Sequence, residues 1–403
     1  MKTMYSFIYS LMMVVTESLS QQILEGLNYL DHKPIRLLMK DGKIVSITSI
    51  KSLHAGDQDI YISPGLIDNQ VNGFAGVSFA LGNNDLKTED VKKATKKIWE
   101  NGVTTYIPTL TTNSKEVLIR NFKTLATACE DPSLMASVPG FHLEGPFINP
   151  EDGYRGAHPK AFVHNPDWNE FMEYYEASGK KIKQITLAPE LKGALDFIKA
   201  CKSLGIQVAL GHHNANSVQI KDAVTAGASI STHLGNGCAN MIHRHNNPLW
   251  PQLANDHLSA SIICDGFHLT PDEVNTFYKV KGKDKIIITS DVTSYATLPP
   301  GQYQTQTGET IELTPEGKLQ YPAQQVMYGS ASPIKNGIGN IMKFTGCSLS
   351  EAINMATANV ARFYGWNDRG ALKIGYRADV IRFKMIEGKM DIQETWVGGV
   401  KVY

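Results

Sequence analysis

Phe141-His142-Leu143-Glu144-Gly145-Pro146 is a run of strand length that stops at a carboxylate, and the Gly-Pro pair turns the chain out of the strand at once. The same punctuation recurs at Ala209-Leu210-Gly211-His212, Ser231-Thr232-His233 and Ile288-Thr289-Ser290-Asp291. In each, a mainly apolar or small-residue run ends in a ligand-type or acid/base residue. A (β/α)8 barrel places chemistry in this way, because the C-terminal ends of its strands converge on one mouth. A lone Glu or His at a strand end is more often a surface or hydrogen-bonding group. Four of them, on four strands and facing one mouth, are much harder to explain as accidents. Glu144, His212 and His233 offer one oxygen and two nitrogens to a divalent metal and leave a coordination position open for water. Asp291 is then the proton carrier, and the implied chemistry is metal-assisted hydrolysis. His213 stands beside His212, and strand alternation lets only one of the two face inward; the residues alone leave that choice open.

Working outward, strands are expected near 61–68, 104–110, 138–144, 183–188, 206–212, 228–233, 259–264 and 285–291. Helical periodicity falls between most of them. From Thr88 to Glu100, Val91, Ala94, Ile98 and Trp99 share one face. Further helices are expected about 115–129, 167–178, 192–203 and 216–226, and Gly102, Gly205 and Gly227 stand where helix-stopping glycines belong. Eight strands alternating with helices favour an α/β barrel of the TIM type over an open doubly wound sheet. Neither Gly-x-Gly-x-x-Gly nor a phosphate-loop motif occurs, which weakens a nucleotide-binding reading.

At 403 residues the chain exceeds the roughly 250 that a barrel uses. The surplus lies at the two ends. Ile35-Arg36-Leu37-Leu38-Met39 and Lys43-Ile44-Val45-Ser46-Ile47 flank Asp41-Gly42, a hairpin signal. Residues 378–383 and 392–397 read likewise, and Gly398-Gly399 turns the chain into Val400-Lys401-Val402-Tyr403. The expectation is one small β-sandwich built from 21–63 and 366–403, beside a barrel over 64–365. Residues 1–20 stand apart. Lys2, an apolar run from Tyr5 to Val15 and Ser18-Leu19-Ser20 resemble a secretory signal peptide, and Met4, Met12 and Met13 equally allow a spurious extension upstream of the true start.

Lys+Arg and Asp+Glu both number 39, so no global field draws nucleic acid or a membrane surface to the protein. Any bound anion must be met by a local group. The five cysteines are widely spaced without Cys-x-x-Cys, which argues for reduced thiols rather than a disulfide framework or a zinc knuckle.

The run Pro64-Gly65-Leu66-Ile67-Asp68-Asn69-Gln70-Val71-Asn72-Gly73-Phe74-Ala75-Gly76 resembles the first barrel strand of the amidohydrolase superfamily. With it go His142-Leu143-Glu144-Gly145-Pro146, Gly156-Ala157-His158, Thr186-Leu187-Ala188-Pro189-Glu190, Thr232-His233-Leu234, Asp265-Gly266-Phe267-His268 and the tail from Gly370 to Asp379. These blocks, in order from about 60 to 383, resemble the N-acetylglucosamine-6-phosphate deacetylase family. The resemblance selects His212 over His213 and implies Glu144, His212 and His233 as metal ligands and Asp291 as the catalytic carboxylate. It implies substrate contacts from His158, His268 and the Asn236-Gly237 loop. Gln70 and Asn72 replace a histidine pair that holds a second metal in many amidohydrolases, so one divalent ion per chain is implied, Zn2+ first, with Fe2+, Mn2+ or Co2+ as alternatives. Arg244 keeps the register of an arginine that binds the sugar phosphate in a neighbouring subunit, which implies a homodimer or higher homo-oligomer. Its surroundings depart from the family: Arg244-His245-Asn246-Asn247 stands for Arg-Glu-Pro-Gly, and Gly235-Asn236-Gly237-Cys238 follows Thr-His-Leu.

The expected activity is therefore hydrolysis of the acetamide of N-acetylglucosamine 6-phosphate. Sugar phosphates are cytoplasmic metabolites, so this goes with a cytoplasmic location. A working signal peptide would instead favour export and an unphosphorylated acetamido sugar. A catalytically silent barrel kept as a binding protein is the third expectation; loss of Asp291 or a ligand would favour it, and none is lost.

Overall fold

The computed structural model describes residues 21–80, 85–305, 308–323 and 326–403. The N-terminal segment read as a signal peptide or spurious extension lies outside the described residues. The chain opens with β1 (Gln22–Asn28), β2 (Pro34–Lys40), β3 (Lys43–Ser49) and β4 (Tyr61–Pro64). The barrel follows as β5 (Leu66–Val71), a small hairpin β6 (Gly73–Phe74) and β7 (Val77–Ser78), then β8 (Val103–Thr111), β9 (Phe141–Glu144), β10 (Ile182–Leu187), β11 (Gln207–Leu210), β12 (Ala228–Ser231), β13 (Ser259–Ile263) and β14 (Ile286–Thr289). β5 and β8 to β14 are parallel neighbours in chain order, the strand order of a TIM-type barrel. Helices Thr88–Trp99, Lys115–Ala128, Trp168–Ala177, Ala194–Ser203 and Ser217–Ala226 form where the sequence periodicity places them. Each lays its apolar stripe on the outside of the barrel; Val91, Ala94, Ile98 and Trp99 of the first are buried.

The strand expected at 61–68 is two strands of two different sheets. The apolar run is continuous, but it breaks at Gly65, where an added Cβ would lie 2.1 Å from the Thr104 side chain. Before the break, β4 joins the chain-end sheet; after it, β5 opens the barrel. The eighth strand stops at Thr289, so Asp291 stands just beyond it.

Both chain ends build one seven-stranded sheet, ordered β21-β20-β19-β4-β1-β2-β3, with β19 (Val380–Ile386), β20 (Lys389–Val397) and β21 (Val400–Lys401). It curls over its own core of Leu24, Leu37, Met39, Ile44, Ile62, Val380 and Trp396. Asp41-Gly42 and Gly398-Gly399 take the positive φ angles that tight hairpins demand, and the two turns meet. A bridge between Lys43 and Arg377 closes the curl.

A second small sheet was not legible in the sequence. β15 (Gly301–Gln304), β16 (Thr310–Leu313), β17 (Leu319–Tyr321) and β18 (Val326–Met327) follow the last barrel strand as an antiparallel insertion. Its own core of Ile311, Leu313 and Leu319 packs with Tyr295 and Ala331.

The barrel interior is layered. At the bottom, Ile67, Ala209, Ile230 and Ile287 meet Val360 and Ala361 of the helix Ala358–Tyr364, which plugs that end. Above them the layer is polar. His142 is hydrogen-bonded to the Thr109 hydroxyl (3.2 Å) and the Thr186 hydroxyl (2.8 Å), and Thr186 to Thr232 (2.7 Å). Burial pushes the His142 imidazole down to about 4, so it is neutral at ordinary pH.

The seam between β5 and β14 is closed largely by side chains and loop backbone. Asp68 Oδ1 accepts from the Ser290 amide (3.1 Å) and the Thr289 hydroxyl (3.3 Å), while Val71 bridges to Val292 and the Asn72 amide donates to the Val292 carbonyl (2.8 Å). Full burial raises the Asp68 carboxyl to about 6, against lowering by its Ser290, Gln70 and Thr289 hydrogen bonds. A folded pKa above the unfolded one means that the native state holds the proton more tightly. The native state is therefore favoured by this group below about pH 4, and that advantage, about 3 kcal/mol, is lost as pH rises to about 6. Asp68→Asn keeps the acceptor without the charge. Thermal unfolding across pH 4–6 should show the variant gaining stability relative to the parent as pH rises; parallel curves would rule the effect out.

Candidate metal centre and active site

Glu144, His212, His233 and Asp291 lie just at or after the ends of β9, β11, β12 and β14, and all four are buried. Their backbone shows why they point into the mouth. His212, His233 and Asp291 have φ of 53°, 30° and 50°, and Glu144 is followed by Gly145 at 79°. Each strand is broken by a left-handed residue, which swings the side chain over the barrel opening. For non-glycine residues this costs on the order of 1–3 kcal/mol and persists only where packing enforces it; such strain clusters at functional sites.

One ligand atom from each of Glu144, His212 and His233 lies within 4.8 Å of the others. Glu144 Oε1 is 2.9 Å from His233 Nε2 and 3.5 Å from His212 Nε2. His212 Nδ1 is 2.9 Å from the Tyr154 carbonyl, a partner that accepts the Nδ1 proton and leaves Nε2 as the metal-facing lone pair. Gly237 (φ 62°) and Gly156 (φ 60°) press on the same ring; a Cβ on Gly237 would stand 2.9 Å from His212 Nδ1. One buried carboxylate and two convergent imidazoles fit a divalent ion bound at about 2.0–2.2 Å, in charge and in donor type. Burial opposes ionisation of Glu144, but the His212 and His233 imidazoles beside it outweigh that and hold the carboxyl well below its usual range. His213 does not line the mouth; its Nδ1 accepts from the Ala215 amide.

Gln70 and Asn72 do more than leave out a second metal pair. Gln70 Nε2 donates to both Glu144 Oε1 and Asp291 Oδ1, each at 2.9 Å. Asn72 Nδ2 donates to the same Asp291 oxygen at 2.7 Å. Two neutral amides thus hold two carboxylates side by side. Burial and the charge of Glu144 raise the Asp291 carboxyl above its ordinary value.

A cavity of about 530 Å³ opens above these residues. Glu144, His158, His212, His233, Asn236, Gly237, His268 and Asp291 all line it, so eight of the nine residues expected at the site are brought together. His158 Nδ1 is 2.8 Å from the Thr112 hydroxyl, its ring lies edge-on to His212, and burial pushes it down to about 3, so it is a neutral imidazole. His268 Nδ1 is 2.7 Å from Asp265 Oδ2, which fixes the ring. Asn236 Nδ2 is buried without a protein partner among the described residues. Arg244 is the ninth. It lies exposed on the 241–247 loop and does not line the cavity of its own chain.

Sequence reasoning missed part of the wall. Tyr321 and Met327 of the insertion, with Tyr295 and Tyr328 flanking it, bring a mostly aromatic side, and Arg155 and Lys160 come from the loop after β9. The tyrosines had one faint signal, their density between 295 and 328. The Tyr154 carbonyl had none, being backbone.

Known proteins place this geometry. The amidohydrolase family profile matches residues 61–402. The chain is 31% identical over 352 residues to N-acetylglucosamine-6-phosphate deacetylase of Bos taurus, covering 85% of this chain and 83% of that one. It is 30% identical over 349 residues to the enzyme of that name from Lysinibacillus sphaericus, covering 85% and 87%. N-acetylgalactosamine-6-phosphate deacetylase of Escherichia coli O157:H7 is 29% identical over 382 residues, covering 94% and 97%. The crystal structure of N-acetylglucosamine-6-phosphate deacetylase from Thermotoga maritima superimposes with a TM-score of 0.82 at 24% identity, covering 95% of this chain and 99% of that one, a likeness of fold. With its barrel, its Glu-His-His cluster and these relatives, the chain belongs to the amidohydrolase family, and within it to the N-acetylglucosamine-6-phosphate deacetylases.

Proposed function

We propose that this protein hydrolyses the acetamide of an N-acetylated hexosamine 6-phosphate, N-acetylglucosamine 6-phosphate first, giving acetate and the amino-sugar phosphate. The observation that carries the reading is the buried Glu144–His212–His233 cluster with Asp291 tied beside it through Gln70. We assign one divalent ion to the three ligands, Zn2+ first, with Fe2+, Mn2+ or Co2+ as alternatives. Such an ion makes water nucleophilic near neutral pH and polarises the amide carbonyl. Asp291 takes a proton from the attacking water and returns it to the departing nitrogen as the C–N bond breaks. Gln70 and Asn72 hold its Oδ1 in place and leave Oδ2 for that exchange. His158 and His268, each fixed through Nδ1, turn Nε2 to the substrate and supply hydrogen bonds to the carbonyl oxygen and the sugar. Acetate release from paired N-acetylglucosamine 6-phosphate and N-acetylglucosamine, with metal-loaded protein, tests the reading. Failure to hydrolyse either would overturn it.

Arg244 enters this proposal as a residue given to a second subunit. Its loop is held in shape: the Trp250 indole donates to the Arg244 carbonyl (2.9 Å), and the Asn247 side chain donates to the His243 carbonyl (2.8 Å). Met241 is 89% exposed and Trp250 54%, an apolar flank suited to a subunit contact. A charge-assisted contact to phosphate is worth about 1.5–3 kcal/mol. Arg244→Ala should therefore raise KM for the 6-phosphate by about ten- to a hundredfold and leave the unphosphorylated sugar little changed. Equal effects on both would show that Arg244 reads no phosphate and would favour the unphosphorylated substrate. Sedimentation should show at least a dimer.

A further inference from the structure

A phosphate entering this cavity meets two basic side chains from its own chain, Arg155 and Lys160. Both sit on the loop between β9 and the helix Trp168–Ala177, and that loop is pinned against the metal site. The Tyr154 carbonyl takes the His212 Nδ1 contact. Arg155 Nη1 donates to the His158 carbonyl at 2.5 Å and to the Gly156 carbonyl at 3.4 Å. His158 in turn is fixed on Thr112. Lys160 follows two residues later, at the start of a single 3-10 turn, Lys160–Phe162.

Neither cation is fully used. The Arg155 guanidinium pairs with Asp152, whose side chain is 84% exposed and gives little in water. Arg155 Nε is buried with no hydrogen-bond partner among the described residues. Lys160 makes no ion pair among the described residues, and Asp152 feels its charge only after that of Arg155. The cavity otherwise presents the carboxylates Glu144, Asp291 and Glu309. Glu144 and Asp291 lie at its floor, where a divalent ion would offset them, and Glu309 is then one carboxylate against the two cations Arg155 and Lys160, so net positive charge is left for the ligand. An open ammonium with a guanidinium behind it on one wall suits a phosphate.

We propose that Lys160, backed by Arg155, is a same-chain contact for the substrate's 6-phosphate, separate from Arg244 of a second subunit. This rests on the deacetylase reading above. The test compares parent, Lys160→Met and Lys160→Arg on N-acetylglucosamine 6-phosphate and N-acetylglucosamine. Lys160→Met should raise KM for the phosphorylated sugar about five- to twentyfold, as for one exposed charge-assisted contact, against at most about twofold for the other. Lys160→Arg should restore most of the loss. A Lys160→Met change within twofold on the phosphorylated sugar, or an equal change on both, overturns the proposal. If the parent hydrolyses neither sugar, the deacetylase reading has failed. Calorimetry with inorganic phosphate on metal-loaded parent and Lys160→Met then decides the site alone: weaker binding in the variant supports it, and equal binding overturns it.

Discussion

Asp291→Asn is expected to leave the protein folded and able to hold its metal while turnover falls by about a hundredfold or more. The geometry makes this a clean substitution. Asp291 Oδ1 accepts from Gln70 and Asn72, and an asparagine oxygen can accept from both. The left-handed backbone at φ 50° suits asparagine better than most residues. What is lost is the ability to take a proton from water and return it to the amine. Burial and the neighbouring Glu144 charge, which raise the Asp291 carboxyl, act on a group that no longer titrates. Acetate release and elemental analysis on the same preparation check both halves. Turnover near that of the parent would remove Asp291 from the chemistry.

Removal of a metal ligand should be at least as severe and should act on binding. Glu144 supplies the only carboxylate of the cluster, and its Oε1 is shared by His233, His212 and Gln70. Glu144→Gln keeps the volume and removes the charge. The expected result is a loss of metal affinity beyond the roughly ten- to hundredfold that disturbing outer-shell partners costs, with activity lost in parallel. The parent should bind one equivalent, be silenced by a chelator and recover on metal return. Two equivalents, both required, would refute the one-metal assignment: Gln70 would then have to release the two carboxylates it holds.

The barrel and its candidate ligands were readable because strand ends carry their chemistry at the point where hydrophobic runs stop. Ile286-Ile287-Ile288-Thr289 needs no tertiary knowledge to be read as a buried strand, nor Asp291 as the residue after it. The division at Gly65 was not readable: what forbids a side chain there is Thr104, on a different strand. The insertion at 301–327 escaped because its strands are two to four residues long and one of them, Gly301–Gln304, is mostly exposed, so it shows no buried alternation. Gln70 and Asn72 were readable as absent ligands, but their donation to two carboxylates depends on Asp291, more than two hundred residues away in sequence. Arg244 could be placed in register, yet its exposed position shows that its partner, if phosphate, lies outside its own chain's cavity.

The seam between β5 and β14 also fixes an order of events during synthesis. Growing from its N-terminus, the chain gains Glu144, His212 and His233 well before Asp291, and Asp291 before Val380–Phe383, the partners of β4. A nascent chain therefore contains all three candidate metal ligands while the first barrel strand still lacks its last neighbour and presents an open edge. The ring closes only when the residue after β14, Ser290, reaches the side chain of Asp68, and the pairing of β4 with β19 comes later still in chain order.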